Sequence, residues 1–483
     1  MKYPSIKDEI KRNKKYFDDI LLDLHNEKDN IQKIQIIKNA TNFATSHQIG
    51  IFNSPLIEES LIDISKFIKC NIDNDYNRNT FLHIFTKCYY TGGHTRICEK
   101  WIKYSPNDEI HSVILINQEN DKIPQNLISD IKDKNGKLII LEGDDIKKAQ
   151  ELRKISSKFE KIILHTHMDD PIPILAFGNT DFKRPVIFFN HGDHLFWIGV
   201  SISDIVVNLR TFAEKINLKC RDVRNNFLLP IPIENVKLNK NLDDINKIKS
   251  DLGFNLQSKV IITMARGYKY KSFGNYNFID NISTILDKNK NSCLLVIGPN
   301  DREKDWKKLT NKYQNRVKIL GLIDNNKINQ YIQIADIGLD SFPFSSFTSL
   351  LDIGKYNVPC FSLKTPINDI DAFTKSRIIC KDQEELVNRI DNFLQNDILD
   401  QNFYQEIKQN HFKNSFTNNI HQLYQKTPKY HTIQSFSEDH QPPEFNDIKN
   451  FVFEMQRINK KNKKTLFKKI KAYIIKLVNK NIK

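Results

Sequence analysis

Residues 335–359 read ADIGLDSFPFSSFTSLLDIGKYNVP and predict a strand, a polar loop and the start of a helix in succession. The apolar run Ile337 to Leu339 is typical of a short buried strand. Ser341 to Phe347 forms a loop closed by Pro343, and Thr348 to Tyr356 has the composition of a helix whose first turn is Thr-Ser. This order of elements predicts one unit of an α/β domain.

The predicted helix start favours a nucleotide. The N–H groups of a first helical turn and the helix dipole attract anions, and the Thr348 and Ser349 hydroxyls can donate to phosphate oxygens. Asp352 lies one turn further on the same face, where its carboxylate can accept from the two vicinal hydroxyls of a ribose. An ordinary N-cap with a dipole-complementing acid explains the same residues, so that alternative stays open.

This stretch resembles the donor-site segment of GT-B glycosyltransferases, most closely the O-GlcNAc-transferase-type family. The matching positions are Thr348, Ser349, Asp352 and Pro359. Two positions depart from the family pattern, which often has His at Phe347 and Gly at Asn357. The first departure removes any donor contact from that histidine, whereas asparagine tolerates the left-handed backbone angles that glycine adopts.

Alternating short strands and helices before and after this stretch predict parallel, doubly wound sheets. The predicted fold class is α/β, with two Rossmann-like domains (GT-B), an N-terminal helical segment and a C-terminal basic amphipathic helix. The predicted boundaries are 1–78 for the helical segment, 79–228 for an acceptor domain, 229–245 for a linker, 246–437 for a nucleotide-sugar donor domain, and 438–483 for a linker and basic tail.

Composition fits an intracellular globular protein. The chain has 483 residues, 39% of them hydrophobic, which is enough for two cores. Its seven cysteines are scattered without a C-x-x-C pair, which favours reduced thiols over disulfides or zinc. Because the N-terminus lacks an apolar signal region and no apolar run approaches 18 residues, we expect neither secretion nor a membrane span.

Histidines and glycines follow three predicted strands of the first domain. Gly92, Gly93 and His94 follow one strand, His165 and His167 another, and His191-Gly192-Asp193-His194 a third. Ligands of such sheets bind at the carboxyl ends of the strands, so these residues are expected at one edge. The glycines permit close backbone approach to a ligand.

Each of these features has an ordinary explanation as well, since glycine pairs and single histidines are common in α/β proteins. His191, Asp193 and His194 are also metal-ligand types, but no second cluster has a convincing spacing, so no metal is expected. The stretch VIFFNHGDHLFWIG resembles the acceptor-side loop of bacterial GT-B transferases. TGGHTR is similar to the glycine loop that opens their N-terminal domain.

Basic residues follow the first predicted strand of the second domain. Arg266 and Lys269 could face a pyrophosphate and stabilise a departing nucleoside diphosphate, although a solvated turn has the same composition. The resemblance of GYKYKS to the family's phosphate-contacting turn places Lys269 on the pyrophosphate. By the same analogy, the backbone of residues 319–322, ending at Leu322, contacts the base.

The net charge of +15 comes mainly from the C-terminal tail, because residues 457–483 contain eleven Lys or Arg and no acid. Apolar residues at helical spacing from Leu466 to Val478 predict an amphipathic helix. Each basic residue near an anionic leaflet contributes about 1 kcal/mol of binding free energy, so the tail is expected to bind an anionic membrane surface. Packing on the protein itself and nucleic-acid binding are the alternatives, and no nucleic-acid motif supports the latter.

The resemblance implies a metal-independent bacterial glycosyltransferase without a cofactor, moving sugar from a UDP-sugar to a glycan. A membrane-binding tail favours a lipid-linked acceptor, such as lipopolysaccharide or capsule, and a cytoplasmic location on the inner face of the membrane. His191 or His194 is the predicted general base, with His94 in reserve, because imidazole titrates near neutral pH. The alternatives are a protein glycosyltransferase, a nucleotide-sugar epimerase and a non-catalytic basic scaffold.

Overall fold

The computed structural model of the chain describes residues 5–72, 75–90, 93–119, 122–236, 238, 241–367, 377–396, 402–437 and 447–458. The chain divides into two compact units, Met1–Pro232 with Lys413–Phe453 and Ile233–Phe412 with Glu454–Lys483. Each unit has its own parallel β-sheet with helices between the strands. The predicted class, an α/β protein with two Rossmann-like sheets and a helical N-terminal segment, is confirmed.

Three helices open the first unit: α1 (Ile6–Asn26), α2 (Asn30–Ser46) and α3 (Pro55–Phe67). Helix α1 begins with a capping box, in which the Ser5 hydroxyl accepts from the Asp8 amide and the Asp8 carboxylate accepts from the Ser5 amide. Buried side chains such as Phe17 and Leu61 belong to the same apolar cluster as Leu82 of the sheet. The N-terminal helices therefore cover one face of the first sheet.

The first sheet has seven parallel strands in the order β3-β2-β1-β4-β5-β6-β7. The strands are β1 (Asn77–Phe85), β2 (Ile110–Leu115), β3 (Leu138–Ile140), β4 (Phe159–Leu164), β5 (Val186–Asn190), β6 (Ile205–Asn208) and β7 (Asn226–Leu228). The connecting helices are α4 (Gly93–Tyr104), α5 (Gln125–Asp133), α6 (Asp145–Ser156), α7 (Ile172–Phe177) and α8 (Thr211–Cys220). The strand order reverses between β1 and β4, which is where such sheets bind ligands.

The second sheet has six parallel strands in the order β10-β9-β8-β11-β12-β13. They are β8 (Lys259–Met264), β9 (Ser292–Ile297), β10 (Val317–Ile319), β11 (Ile337–Leu339), β12 (Cys360–Leu363) and β13 (Ile379–Cys380). The helices are α9 (Leu242–Asp251), α10 (Phe278–Lys288), α11 (Lys304–Tyr313), α12 (Asn325–Gln333), α13 (Phe347–Gly354), α14 (Gln383–Asn396) and α15 (Asn402–Asn410). Here the order reverses between β8 and β11.

After the second unit the chain returns to the first. Helix α16 (Lys413–Lys426) buries Phe416 and Leu423 in a cluster with Trp101, and the Trp101 indole donates to the Tyr424 hydroxyl at 3.0 Å. The predicted donor domain, 246–437, includes residues 413–437. In the structure these residues lie with the first unit. The apolar face of α16 packs against residues of the first sheet. The position of α16 in the sequence does not predict this packing.

The C-terminal tail prediction falls on residues 457–483, of which 459–483 lie outside the described residues. The preceding segment 447–458 is helical and buries Phe451 and Val452. Among the helices that the structure describes, none combines the length and apolar composition that a membrane crossing requires.

Glu58 of α3 binds the loop at residues 199–201, and its substitution is expected to destabilise the fold. The fully buried carboxylate accepts from the Gly199 amide (3.0 Å), the Val200 amide (3.1 Å) and the Ser201 amide (2.7 Å). Glu58→Ala leaves these donors unpaired, so the free energy of unfolding should fall by about 3 kcal/mol in urea titrations. The exposed neighbour Glu59→Ala is the control; equal losses for both variants would contradict this role.

Candidate functional site

The structure brings the predicted histidines of the first unit to the carboxyl edge of its sheet. His94 lies in the first turn of α4, His167 follows β4, and His191 and His194 follow β5. Strands β1, β4 and β5 are adjacent and parallel, so their carboxyl ends meet at this edge. Gly92 lies outside the described residues. A Cβ added at Gly93 would meet no atom of the described residues within 4 Å, which leaves room beside the start of α4.

His94 and His191 stack on each other, with ring centroids 4.8 Å apart and planes 19° apart. His191 Nε2 lies 2.9 Å from the Thr166 carbonyl, and His94 Nε2 lies 3.4 Å from the Lys87 carbonyl. A carbonyl only accepts, so each Nε2 carries the hydrogen and each Nδ1 is bare. Burial lowers the pKa of His94 to about 4 and that of His191 to about 3. Both rings are therefore neutral, weakly basic acceptors.

His194 is oriented by a buried carboxylate. Its Nδ1 lies 3.0 Å from Asp193 Oδ1, and Arg210 donates to the same carboxylate from Nε (2.8 Å) and Nη2 (2.6 Å). Burial alone would raise the pKa of Asp193, but Arg210 and His194 hold it well below its usual range. Because Asp193 is ionised, its carboxylate accepts the hydrogen that His194 donates from Nδ1. The Nε2 of His194 is then the nitrogen that can accept a proton. The side chain of His194 is 25% exposed.

Arg221 holds the loop that carries these residues. Its guanidinium is fully buried between the rings of Phe52 and Trp197 and donates from Nη2 to the carbonyls of Asp193 (2.9 Å) and Leu195 (2.6 Å). The sequence pattern singled out neither Arg210 nor Arg221. Arg210 follows β6 at the same edge, so the rule that located the histidines would also have located it.

His165 and His167 both follow β4 at the carboxyl edge, as predicted, but they differ in burial and in contacts. His165 is fully buried and belongs to a line of histidines inside the unit. His167 pairs with the Tyr89 hydroxyl at 3.2 Å and stacks on the Tyr89 ring. His167 thereby contacts the segment that leads into α4, whereas the ring of His165 packs edge-on against Trp101 within α4.

In the second unit, Lys269 is held against the loop that leads into α13. It lies on the single 3-10 turn Gly267–Tyr270 after β8, and its Nζ donates to the Ser345 carbonyl at 2.7 Å. The Phe344 amide donates back to the Lys269 carbonyl at 3.3 Å. The structure thereby brings Lys269 next to the start of α13, whereas Arg266 is exposed.

Asp340, directly after β11, organises this loop. Its Oδ1 accepts from the amides of Ser341 and Ser346, both at 2.8 Å. Its Oδ2 accepts from the hydroxyls of Ser345 (2.6 Å) and Ser362 (2.8 Å). The carboxyl group is fully buried, and burial raises its pKa against the effect of these donors. The sequence pattern did not single out Asp340, although its position after a strand was a signal.

Helix α13 presents the predicted donor residues. Ser346 makes no side-chain capping bond within the described chain; its hydroxyl lies 2.9 Å from that of Ser349 instead. The Ser346 side chain therefore does not act as an ordinary N-cap of α13. Thr348 is exposed, and Asp352 pairs through Oδ1 with Lys355 Nζ at 2.9 Å.

The two departures from the family pattern differ in their structural effect. Asn357 has φ +58°, so it adopts the left-handed conformation that the family's glycine would adopt, as predicted. Phe347 packs edge-on against His411, with ring centroids 6.4 Å apart.

A cavity of about 390 Å³ lies at the carboxyl ends of β9 and β10, lined by residues 298–302 and 319–322. Leu322, predicted to lie beside the base, belongs to this lining and is 83% exposed. Gly298 has φ +114°, and a Cβ there would lie 2.0 Å from the Ala265 carbonyl oxygen. Only glycine fits at this wall of the cavity.

No protein-family model and no curated protein sequence matches the chain. Solved structures do. A glycosyltransferase from Rickettsia africae matches with a TM-score of 0.56 and 15% identity, over 73% of this chain and 99% of that one. HepE from Anabaena, solved with UDP and glucose, matches with a TM-score of 0.53 and 13% identity, over 71% and 99%.

The lipopolysaccharide outer core galactosyltransferase WaaB matches with a TM-score of 0.52 and 13% identity, over 72% of this chain and 99% of that one. At these identities the likeness establishes the fold. The chain has the GT-B fold of these glycosyltransferases, which confirms the resemblance at the level of architecture.

Proposed function

We propose that the protein is a glycosyltransferase that moves a sugar from a nucleoside diphosphate sugar to a glycan acceptor. The observation that carries the proposal is the bond from Lys269 Nζ to the Ser345 carbonyl, which fixes a cation next to the N-terminus of α13. A lysine and a helix N-terminus together stabilise the negative charge that builds up on a departing diphosphate. A non-catalytic scaffold has no need of this arrangement.

We propose that the base and the ribose of the nucleotide bind to the same unit. The cavity lined by residues 298–302 and 319–322 is open to a planar base. Asp352 uses Oδ1 for Lys355, so Oδ2 is the oxygen offered to a ribose hydroxyl. We propose UDP as the nucleotide, with support from the fold shared with HepE, whose structures hold UDP and UDP-glucose.

The first unit supplies the general base in this proposal. His194 Nε2 takes the proton of the acceptor hydroxyl, and the oxygen attacks the anomeric carbon as the bond to the diphosphate breaks. The electron pair of that bond leaves on the diphosphate. Ionised Asp193 stabilises the imidazolium that forms on His194, as the Asp in a Ser-His-Asp triad does.

The proposed acceptor is a lipid-linked glycan such as lipopolysaccharide. The fold shared with WaaB, a lipopolysaccharide outer core galactosyltransferase, supports this class. The predicted membrane-binding tail, residues 457–483, supports it as well. Incubating a UDP-sugar with and without isolated lipid-linked oligosaccharide tests the reaction: transfer requires the acceptor, whereas conversion of the UDP-sugar alone would identify an epimerase.

Nucleotide binding is expected to depend on Asp352. UDP at 100 times its Kd stabilises the folded state by about 2.7 kcal/mol, which corresponds to a rise in Tm of about 5–10 °C. Asp352→Ala removes the ribose acceptor and should weaken binding about 10- to 100-fold in calorimetry. The exposed Asp305→Ala is the control. If UDP, GDP and CDP all fail to raise the Tm near millimolar concentration, the donor site is wrong.

A further inference from the structure

Three buried histidines and one glutamate form an unbroken line of hydrogen bonds in the first unit. His165 Nε2 lies 2.9 Å from His83 Nδ1, and His83 Nε2 lies 3.0 Å from His111 Nδ1. His111 Nε2 lies 3.0 Å from Glu109 Oε2. The three histidines have no exposed surface, and Glu109 is 7% exposed.

The line crosses the sheet from one edge to the other. His165 follows β4 at the carboxyl edge, where the candidate site lies. His83 lies within β1, His111 is the second residue of β2, and Glu109 precedes β2 at the amino edge. Because β2, β1 and β4 are neighbouring parallel strands, the four side chains connect opposite edges through the interior.

The glutamate sets the position of every hydrogen in the line. An ionised carboxylate only accepts, so His111 donates from Nε2 and, being neutral, has a bare Nδ1. His83 must then donate from Nε2 to that nitrogen, and His165 from Nε2 to His83. Burial keeps the rings neutral, since it lowers the pKa of His83 and His165 well below the usual value and that of His111 to about 3.

The far end of the line has no hydrogen-bond partner in the part of the chain that the structure describes. His165 Nδ1 is buried and accepts no hydrogen bond from any described residue. Buried polar networks that serve packing alone normally end on a partner, because an unpaired polar atom in the interior is costly. The bare Nδ1 of His165 is therefore the feature that packing does not explain.

Cys98 is also close to this line, and the Cys98 thiol and one nitrogen each of His83 and His165 lie within 4.8 Å of one another. The facing nitrogens of the two histidines are joined by their hydrogen bond, however, so their lone pairs do not converge on a common point. The cluster is better matched to a proton than to a metal ion.

We infer that His165, His83, His111 and Glu109 form a proton relay across the first unit. A proton added to Nδ1 of His165 releases the Nε2 hydrogen of His165 to Nδ1 of His83. His83 passes its Nε2 hydrogen to Nδ1 of His111, and His111 passes its Nε2 hydrogen to the carboxylate of Glu109. One proton enters, Glu109 becomes neutral, and each imidazole ends neutral with its hydrogen on Nδ1.

Glu109 can take either form near neutral pH. Burial raises the pKa of Glu109 to about 7, with Asp108 acting in the same direction and His421 and Lys134 opposing it. The buried Tyr424 of α16 also lies near Glu109. At the other end, His165 is faced by His94 and His191 as well as by His83. These groups surround both termini of the relay.

The relay does not depend on the proposed sugar transfer. If that transfer takes place, the acceptor hydroxyl releases one proton per turnover at the carboxyl edge. The relay gives this proton a route to the opposite edge that avoids the substrate.

Histidine-selective ¹⁵N NMR of the full chain between pH 6 and pH 8.5 tests the relay. Single His→Phe variants assign the three imidazoles among the thirteen histidines. At pH 8.5 all three are expected to carry hydrogen on Nε2, and at pH 6 on Nδ1. The three changes should share one midpoint, that of the Glu109 carboxyl ¹³C signal, close to the pKa of about 7.

Two variants separate a relay from a static network. Glu109→Gln cannot titrate, so the pH-dependent change should be lost from all three rings. His111→Phe keeps a ring stacked on Phe81, whose centroid is 4.9 Å from that of His111, but should leave His83 and His165 unresponsive to Glu109. The exposed Glu142→Gln is the control and should leave the shared midpoint unchanged.

The relay is wrong if Nδ1 of His165 stays bare while Glu109 titrates, or if any of the three rings becomes doubly protonated in this range. Should His111→Phe lose its near-ultraviolet circular dichroism, the Glu109→Gln result decides alone. A negative result leaves the sugar-transfer proposal standing, because the NMR measurement uses no donor or acceptor. A failure of transfer likewise leaves the relay intact.

Discussion

Replacing His194 by asparagine is expected to lower kcat about 10²- to 10⁴-fold, the usual range for loss of a general base. The asparagine amide can still donate to Asp193, as Nδ1 of His194 does at 3.0 Å, but nothing replaces Nε2. The KM for the nucleotide sugar should change little, because the donor residues Lys269, Thr348 and Asp352 belong to the other unit. Steady-state kinetics with a UDP-sugar and a lipid-linked acceptor measure both constants.

The same experiment distinguishes His194 from the two stacked histidines. The pKa of His191 is about 3 and that of His94 about 4, so both are poor proton acceptors at neutral pH. We expect His191→Asn and His94→Asn to lower kcat less than His194→Asn does. His25→Asn, on the exposed surface of α1, is the control. A larger loss for His191→Asn than for His194→Asn would transfer the role of base to His191.

Asp340→Ala is expected to have the largest effect on stability, lowering the free energy of unfolding by about 3–5 kcal/mol. The substitution leaves the amides of Ser341 and Ser346 and the hydroxyls of Ser345 and Ser362 without their buried acceptor. Asp340→Asn keeps one acceptor oxygen and should cost less. Urea titration gives the free energies.

Hydrogen exchange shows whether the loss lies where the structure puts it. In Asp340→Ala, the Ser341 and Ser346 amides should lose protection before the strands of the second sheet do. UDP binding should also weaken, because the loop from Ser341 to Ser346 positions Lys269 and the start of α13. The exposed Asp305→Ala serves as the control here too. An unfolding midpoint equal to that of the control would show that Asp340 is not structural.

Local patterns in the sequence determined the elements. The strand Ile337–Leu339 lies where its apolar run predicts it, and α13 begins within one residue of the predicted start. Such runs and helix starts depend on neighbouring residues alone, so the sequence contains the information. Once the strands were known to be parallel, the rule for carboxyl ends placed His94 and His191 at one edge, where their rings stack.

The position of Arg210 after β6 could have been read from the chain, but the contacts that hold the site in place could not. Arg210 holds the site through its hydrogen bonds to Asp193, 17 residues away. Arg221 holds it through hydrogen bonds to the carbonyls of the same loop. Buried charged groups are stable only with specific partners, and folding decides which partner is within reach. For the same reason, the preference for His194 over His191 as the base required burial and hydrogen bonds from the structure.

The histidine relay shows this division most clearly. In the sequence, His83 and His111 stand singly within apolar strands and look like isolated core residues, whereas His165 is predicted at the carboxyl edge with no link to either of them. The pairing of β1 with β2 and with β4 aligns them, and a shift of one residue in any strand would turn its side chain to the other face. Sequence alone thus determined the strands, helices, fold class and candidate edges of this protein. Tertiary structure decided which ionisable groups meet, because a hydrogen bond requires contact within about 3 Å.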